Sequence, residues 1–253
     1  MDQRERIARF VPAAWRARVA VCGGEVHEVD GLVVCLTGVP IAAFNPTLVG
    51  GRVGDPAAAL AIAEALYPPG IGFGIELLPS LHGEVRLAAL AGGLQLIDTE
   101  PVMTVPPREV ADTPSPRGLS LQRVTDPGML DEVARVDAAS FGGEADVTRG
   151  FMPDAMLDDP AHRVYLGILD GEVVAAAETS LAGRVLGVFG VATVPEARRR
   201  GIGAAITAHV VADRRDDADL AVLESSEMGE GVYGRLGFRT IMTREVWARP
   251  EPS

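Results

Sequence analysis

The chain has 253 residues, 47% hydrophobic and 23% charged, a balance that supports a packed core and excludes disordered, collagen-like and coiled-coil chains. All 23 basic residues are arginine, set against 35 acidic ones for a formal net charge of -12. The absence of lysine excludes Schiff-base and lysine-nucleophile chemistry, and the acidic balance speaks against nucleic acid or an anionic membrane as partner while suiting small cations.

At roughly 150 residues per domain the length corresponds to about 1.7 domains. The start, Met1 to Arg6, is charged and no long apolar run follows, so neither a signal nor a transit peptide is expected. Cys22 and Cys35 lack metal-type spacing and read as reduced thiols of a cytoplasmic protein, and no metal is expected. Strands are expected near Glu25 to Glu28, Leu32 to Thr37 and Ala42 to Val49, then a helix from Pro56 to Leu66, a strand from Gly72 to Leu78 and a helix from Glu84 to Ala91. The most apolar stretch, Gly31 to Phe44, is interrupted by Gly38 and Pro40 and is shorter than the ~20 residues that cross a bilayer.

The proline-rich run from Val105 to Gly118 reads as an interdomain linker, which divides the chain into domains at 1–104 and 119–253 with the linker at 105–118. Beyond it the pattern predicts a strand at Leu119 to Val124 and helices at Met129 to Phe141 and Thr148 to Leu157. An antiparallel meander follows at Val164 to Leu169, Val173 to Ser180 and Val185 to Val194, its first turn marked by Asp170-Gly171. A helix from Gly201 to about Asp213 has Ile202, Ile206 and Val210 at intervals of four, with Ala205 beside them, which makes one buried stripe. Leu220 to Glu224 is a short strand, Gly229 to Leu236 a short helix and Thr240 to Ala248 a last strand. The order is mixed α/β, an α+β sheet with the meander first.

The chemistry concentrates where the strand ending at Val194 runs into Pro195-Glu196-Ala197-Arg198-Arg199-Arg200-Gly201-Ile202-Gly203-Ala204 and opens a helix. The first amides of a helix lack intrahelical partners and its dipole favours anions, so such a loop suits a diphosphate. Gly201 and Gly203 let phosphate oxygens approach the backbone, and loop arginines add pairing charge. A P-loop needs a lysine and is excluded. A dinucleotide fingerprint needs glycine or alanine where Ile206 stands, and a parallel unit where antiparallel strands precede. What remains is a coenzyme A diphosphate loop, Arg/Gln-x-x-Gly-x-Gly/Ala, matched by Arg198-x-x-Gly201-x-Gly203.

With that loop, and with Tyr233-Gly234-Arg235-Leu236-Gly237-Phe238 about thirty residues on, the region from Leu119 to about Arg249 resembles the GNAT superfamily of N-acetyltransferases. The resemblance implies acetyl-CoA as acyl donor, held by the backbone of Val191 and Thr193 and by the loop Arg198, Arg199, Arg200, Gly201, Gly203 and Ala204. It implies direct attack by a small primary amine in a ternary complex, with Tyr233 protonating the leaving thiolate. No motif identifies the base: Glu178 and Glu224 are both candidates, and each also has a structural reading, as an edge carboxylate and as a loop-ordering group. Tyr233 has one as well, as a core aromatic, and the three arginines as a solvated run. His209 reads as a packing or surface residue. A non-catalytic acyl-CoA-binding or sensing protein on the same fold is the alternative. Nothing in the sequence excludes a homo-oligomer.

Shifting the second half by 144 residues lays Gly237, Ile241, Thr243 and Val246 on Gly93, Ile97, Thr99 and Val102. The expectation is two tandem GNAT-like domains with the first degenerate, a layout that also resembles mycothiol synthase-type acetyltransferases at shorter length. Where the second copy has its loop, the first has Gly54-Asp55-Pro56, a self-capped helix start whose carboxylate would repel a diphosphate, and Ala89 stands opposite Tyr233.

Overall fold

The computed structural model describes residues 1–250. By internal packing the chain forms two units, residues 1–102 together with the chain from Ile241 onward, and residues 103–240.

The first unit opens with α1 (Gln3–Cys22), which the sequence analysis leaves unassigned. Its signal is nevertheless present: Ile7, Phe10, Ala14 and Arg18 are spaced by three and four and are all buried, with Pro12 in their midst. Strands β1 (Glu25–Val29) and β2 (Leu32–Leu36) form an antiparallel hairpin, and β3 (Thr47–Val49) pairs antiparallel with β2. The strand expected over Ala42 to Val49 is confined to its end. Ala42–Phe44 is a 3-10 turn, because the Asn45 amide Nδ2 donates to the carbonyls of Val39 and Ile41 and its Oδ1 accepts from the Thr37 amide, curling the chain before Pro46. Helix α2 (Pro56–Ala65), strand β4 (Gly74–Leu77), helix α3 (Gly83–Ala91) and strand β5 (Gln95–Val105) follow.

Within this unit the strand order is β1-β2-β3-β4-β11-β5, where β11 (Arg239–Ala248) is the last strand of the chain. Trp247 of β11 lies 4% exposed in one apolar core with Leu32, Val34, Leu60, Ile75, Leu77 and Leu94. Charged residues on and beyond β11 are paired inside the unit: Arg244 with Glu76 and Glu100, Arg249 with Glu64, and Glu245 with Arg86 and the Trp247 indole N-H.

The second unit takes in the end of β5 from Met103 and then the proline-rich run. That run is ordered: the Ala111 amide donates to the Leu236 carbonyl at 3.0 Å. Strands β6 (Leu119–Arg123), β7 (His162–Leu169), β8 (Glu172–Ala182), β9 (Val185–Thr193) and β10 (Leu220–Glu224) lie in the order β10-β9-β8-β7-β6. The meander is antiparallel and β10 joins β9 in parallel. Helix α4 (Pro127–Phe141) starts on an Asp126 cap that accepts from the Met129 amide. The single helix expected over Thr148 to Leu157 is two pieces, α5 (Ala145–Phe151) and a 3-10 turn at Asp154–Leu157. Pro153 cannot continue the first, and Arg149 binds Asp154 and the Met152 carbonyl across the break. Helix α6 (Ile202–Asp213) buries Ile202, Ala205, Ile206 and Val210 as its spacing predicts, and α7 (Glu227–Arg235) ends the unit. Among the described residues no helix is long and apolar enough to cross a membrane.

Candidate active site

In β9 the register against β8 slips: Ala176 faces Ala192 and Glu178 faces Phe189, so the single Ala177 stands against both Gly190 and Val191. This is a β-bulge, and Gly190 takes the left-handed φ of 55° that it requires. On its other side β9 pairs with β10 only from Val185 to Gly187. Among the described residues, Val188–Thr193 has no strand pair on the β10 side. Backbone groups on such an edge need partners, and an extended ligand can supply them as an added strand would. Val191 and Thr193 both lie on this stretch, half-buried.

After Thr193 a 3-10 turn at Pro195–Ala197 leads into the arginine loop. The Arg198 guanidinium does not point away as a free charge. Its Nε donates to the Thr193 carbonyl at 3.0 Å and its Nη2 to the Ser140 carbonyl at 2.8 Å, tying the loop to the last turn of α4. Arg199 and Gly201 both have left-handed backbone, φ 61° and 82°, which turns the chain sharply into α6. Gly201 caps α6 with no side-chain hydrogen bond, and the first intrahelical bond there is the Ala205 amide to the Gly201 carbonyl. The amides of Ile202, Gly203 and Ala204 therefore lie in the unpartnered first turn, at the positive end of a twelve-residue helix. A side chain at Gly203 would meet nothing nearer than Thr193 Oγ1 at 4.0 Å. Glycine within a helix costs up to about 1 kcal/mol relative to alanine. Among the described residues no side chain crowds this position, which leaves open space over the amides of the first turn.

On α7, Tyr233 is half-buried with its ring edge-on to Phe238 at 6.1 Å. Gly229, one turn earlier, lies under the same ring: a Cβ there would come within 2.8 Å of Tyr233 Cε2 and 2.9 Å of Ser225 Oγ. Tyr233 is thus both a packing residue and held in one place. Ser226 occupies the N-cap position of α7 but makes no side-chain cap bond, while Ser225 Oγ donates to the Ser226 carbonyl. Glu224 ends β10, half-buried. His209 packs edge-on to Tyr165.

Which way Glu178 faces follows from the register. Arg163 and Tyr165 of β7 both bond to Asp213 of α6, so their partners Thr179 and Ala177 also face α6. Glu178 and Ser180, opposite Val164 and His162, face the other side, beneath α4. Glu178 is only 7% exposed, and its Cγ lies 3.8 Å from a Cβ position at Gly190 of the bulge. From α4, Asp137 adds a second carboxyl close enough to feel the first: burial, and then repulsion from Glu178, push it from its ordinary 3.8 up to about 6. Sequence reasoning missed Asp137. It continues the stripe of buried Leu130, Val133 and Ala134 at helical spacing, and a carboxylate on such a stripe is itself a signal of function.

In the first unit the start of α2 is held by the protein's own carboxylates. Asp55 Oδ1 accepts from the Ala58 amide at 3.1 Å, and Asp30 Oδ2 accepts from the amides of Gly54 and Asp55. Ala89 of α3 is fully buried.

Comparison with known proteins bears on the fold. A GCN5-related N-acetyltransferase from Kribbella flavida superposes with a TM-score of 0.77 at 21% identity over 97% of this chain and 96% of its own. One from Sphaerobacter thermophilus gives 0.62 at 16% identity over 88% and 82%. A tandem GNAT protein from the clavulanic acid biosynthesis pathway gives 0.61 at 17% over 89% and 80%. The chain therefore has the GNAT fold, and it shares its extent with a tandem representative. More particularly, residues 165–248 match the family described as FR47-like protein, a stretch that contains the bulge, the arginine loop and Tyr233. No curated protein matches the chain.

Proposed function

We propose that this protein is an acetyl-CoA-dependent N-acetyltransferase, with the donor held in the second unit and a small primary amine as acceptor. One observation carries the reading: the open first turn of α6, with space left at Gly203, directly follows a strand whose outer edge is free for an extended ligand. That pairing fits a molecule with a diphosphate at one end and an amide-bearing arm at the other. The amides of Arg199, Arg200, Gly201, Gly203 and Ala204 would receive the diphosphate, with Arg198 fixing the loop from behind. The backbone of Val191 and Thr193 would pair with the pantetheine and acetyl groups. Bound there, acetyl-CoA supplies an activated thioester.

The rest belongs to the protein. A carboxylate, Glu178 or Glu224, takes one proton from the acceptor ammonium, and the freed amine forms the C-N bond as the C-S bond breaks. The second amine proton leaves the new amide nitrogen, and Tyr233 protonates the thiolate. The sum is amide, free thiol and one proton released. Positioning two substrates at one strand edge supplies much of the acceleration.

The test is calorimetric titration with acetyl-CoA, followed by thiol release with a panel of amines. One site per chain together with amine-dependent thiol supports the reading. Binding without thiol release from any amine leaves an acyl-CoA sensor, and absence of binding overturns both.

A further inference from the structure

Helix α2 of the first unit is apolar on every side. Its sequence, Pro-Ala-Ala-Ala-Leu-Ala-Ile-Ala-Glu-Ala, holds a single charged residue, Glu64, and that carboxylate is paired with Arg249. One side of the helix, Ala59, Leu60 and Ala63, is buried in a core shared with Val85 and Ala89 of α3. The opposite side, Ala57, Ala58, Ala61, Ile62 and Ala65, is exposed and carries no polar side-chain atom. A helix without a polar face belongs in an interior, and one of ten residues is too short to cross a membrane.

Helix α3 packs alongside α2 over the same core, while α1 covers the other side of the sheet through Val19 against Val33 and Cys35. The outward sides of α2 and α3 therefore form one surface, turned away from the sheet. On α3 it carries Leu87 and Leu90, one turn apart and 64% and 56% exposed, and on α2 Ile62 is 55% exposed. Arg86 turns away from it, over the Trp247 ring and onto Glu245, and Glu84 stands at its end, in the first turn of α3.

We infer that this surface joins two copies of the chain about a twofold axis running between the helices, with Leu87 and Leu90 of each copy seated on the alanine side of α2 in the other. Shape favours a second copy as the occupant. A raised pair of leucines lies beside a low shelf of alanines, and the twofold sets each ridge on the other copy's shelf, so the surface is its own complement. Charge points the same way. Two chains of formal charge -12 repel each other, and here they can meet through carbon with the carboxylates left at the rim. The area is also sufficient. The three large side chains leave on the order of 100 Å² each in water and the alanines add a similar total, so two copies would bury about 1,000 Å², the lower end for a specific contact and that of a dimer in the micromolar range. None of this depends on the reaction proposed above.

Sedimentation velocity of the full chain from about 1 μM to about 300 μM tests this. The 26.5 kDa species should give way to one of twice that mass as concentration rises. Leu87→Glu and Ala61→Glu, both at exposed helix positions and checked for folding by circular dichroism, should each raise the dissociation constant at least tenfold; if one of them fails to fold, the other decides. Raising NaCl from about 50 mM to about 500 mM should tighten the dimer or leave it unchanged, because salt screens the repulsion between the two acidic chains and no ion pair holds them. A chain that stays monomeric throughout, including one that instead floats with phosphatidylcholine vesicles, overturns the assignment. So does a dimer that a folded variant leaves unchanged, or one that salt weakens tenfold.

Discussion

Replacing Asp137 by asparagine should make the protein more stable at neutral pH. Burial and the nearby Glu178 raise this carboxyl from 3.8 to about 6 in the folded chain. At 1.36 kcal/mol per tenfold in acidity, ionising it in the native state costs about 3 kcal/mol, and partial access to solvent reduces that to about 2 kcal/mol. The sign is that of a raised acid. Between pH 3.8 and about 6 the native state holds more protons than the unfolded one, so wild-type stability rises as pH falls through that window. Asparagine carries no charge at any pH. The variant should therefore exceed wild type by about 2 kcal/mol at pH 7.5, or about 4–8 °C in Tm for a chain of this size. By pH 5 the advantage should fall to about half, and it should close further toward pH 3.8. Thermal unfolding followed by circular dichroism at several pH values measures this directly. A variant less stable than wild type at pH 7.5, or a difference that does not change with pH, would refute the account.

Three further outcomes are expected. Gly203→Glu should remove acetyl-CoA binding in calorimetry, because a carboxylate would occupy the open space over the α6 amides, with the fold intact by circular dichroism. Asp55→Ala should cost about 1 kcal/mol in thermal unfolding through loss of the α2 cap and leave binding at one site per chain, and equal loss of binding in both variants would defeat the assignment of the donor to the second unit. Tyr233→Phe should lower kcat by about a hundredfold with acetyl-CoA affinity unchanged, since the ring still packs on Gly229 and Phe238; an unaltered kcat in steady-state kinetics would remove the proton-donor role.

The sequence by itself determined the features that are local in the chain. The arginine loop, its two glycines and the start of α6 are contiguous, and the unsatisfied amides of a helix start need no distant partner to be foreseen. The self-capped start of α2 at Asp55 was legible for the same reason. The apolar period of α6 placed its buried face, and the turn at Asp170-Gly171 placed the meander. Apolar periodicity failed where side chains a few residues along the chain redirected the backbone. Pro153 and the bonds of Arg149 split one expected helix, and the Asn45 side chain curled an expected strand.

Only the tertiary structure decided what meets across elements. The bulge at Gly190 depends on the register of two strands, and the free edge of β9 on where β10 stops pairing. Arg198 reads as a phosphate ligand in sequence, yet its guanidinium is spent on carbonyls of β9 and α4, the latter 58 positions away. Asp137 and Glu178 are 41 residues apart, and each alone is an ordinary carboxylate. Only the packing of α4 against β8 brings Asp137 near Glu178, where burial and that neighbouring charge raise the Asp137 carboxyl.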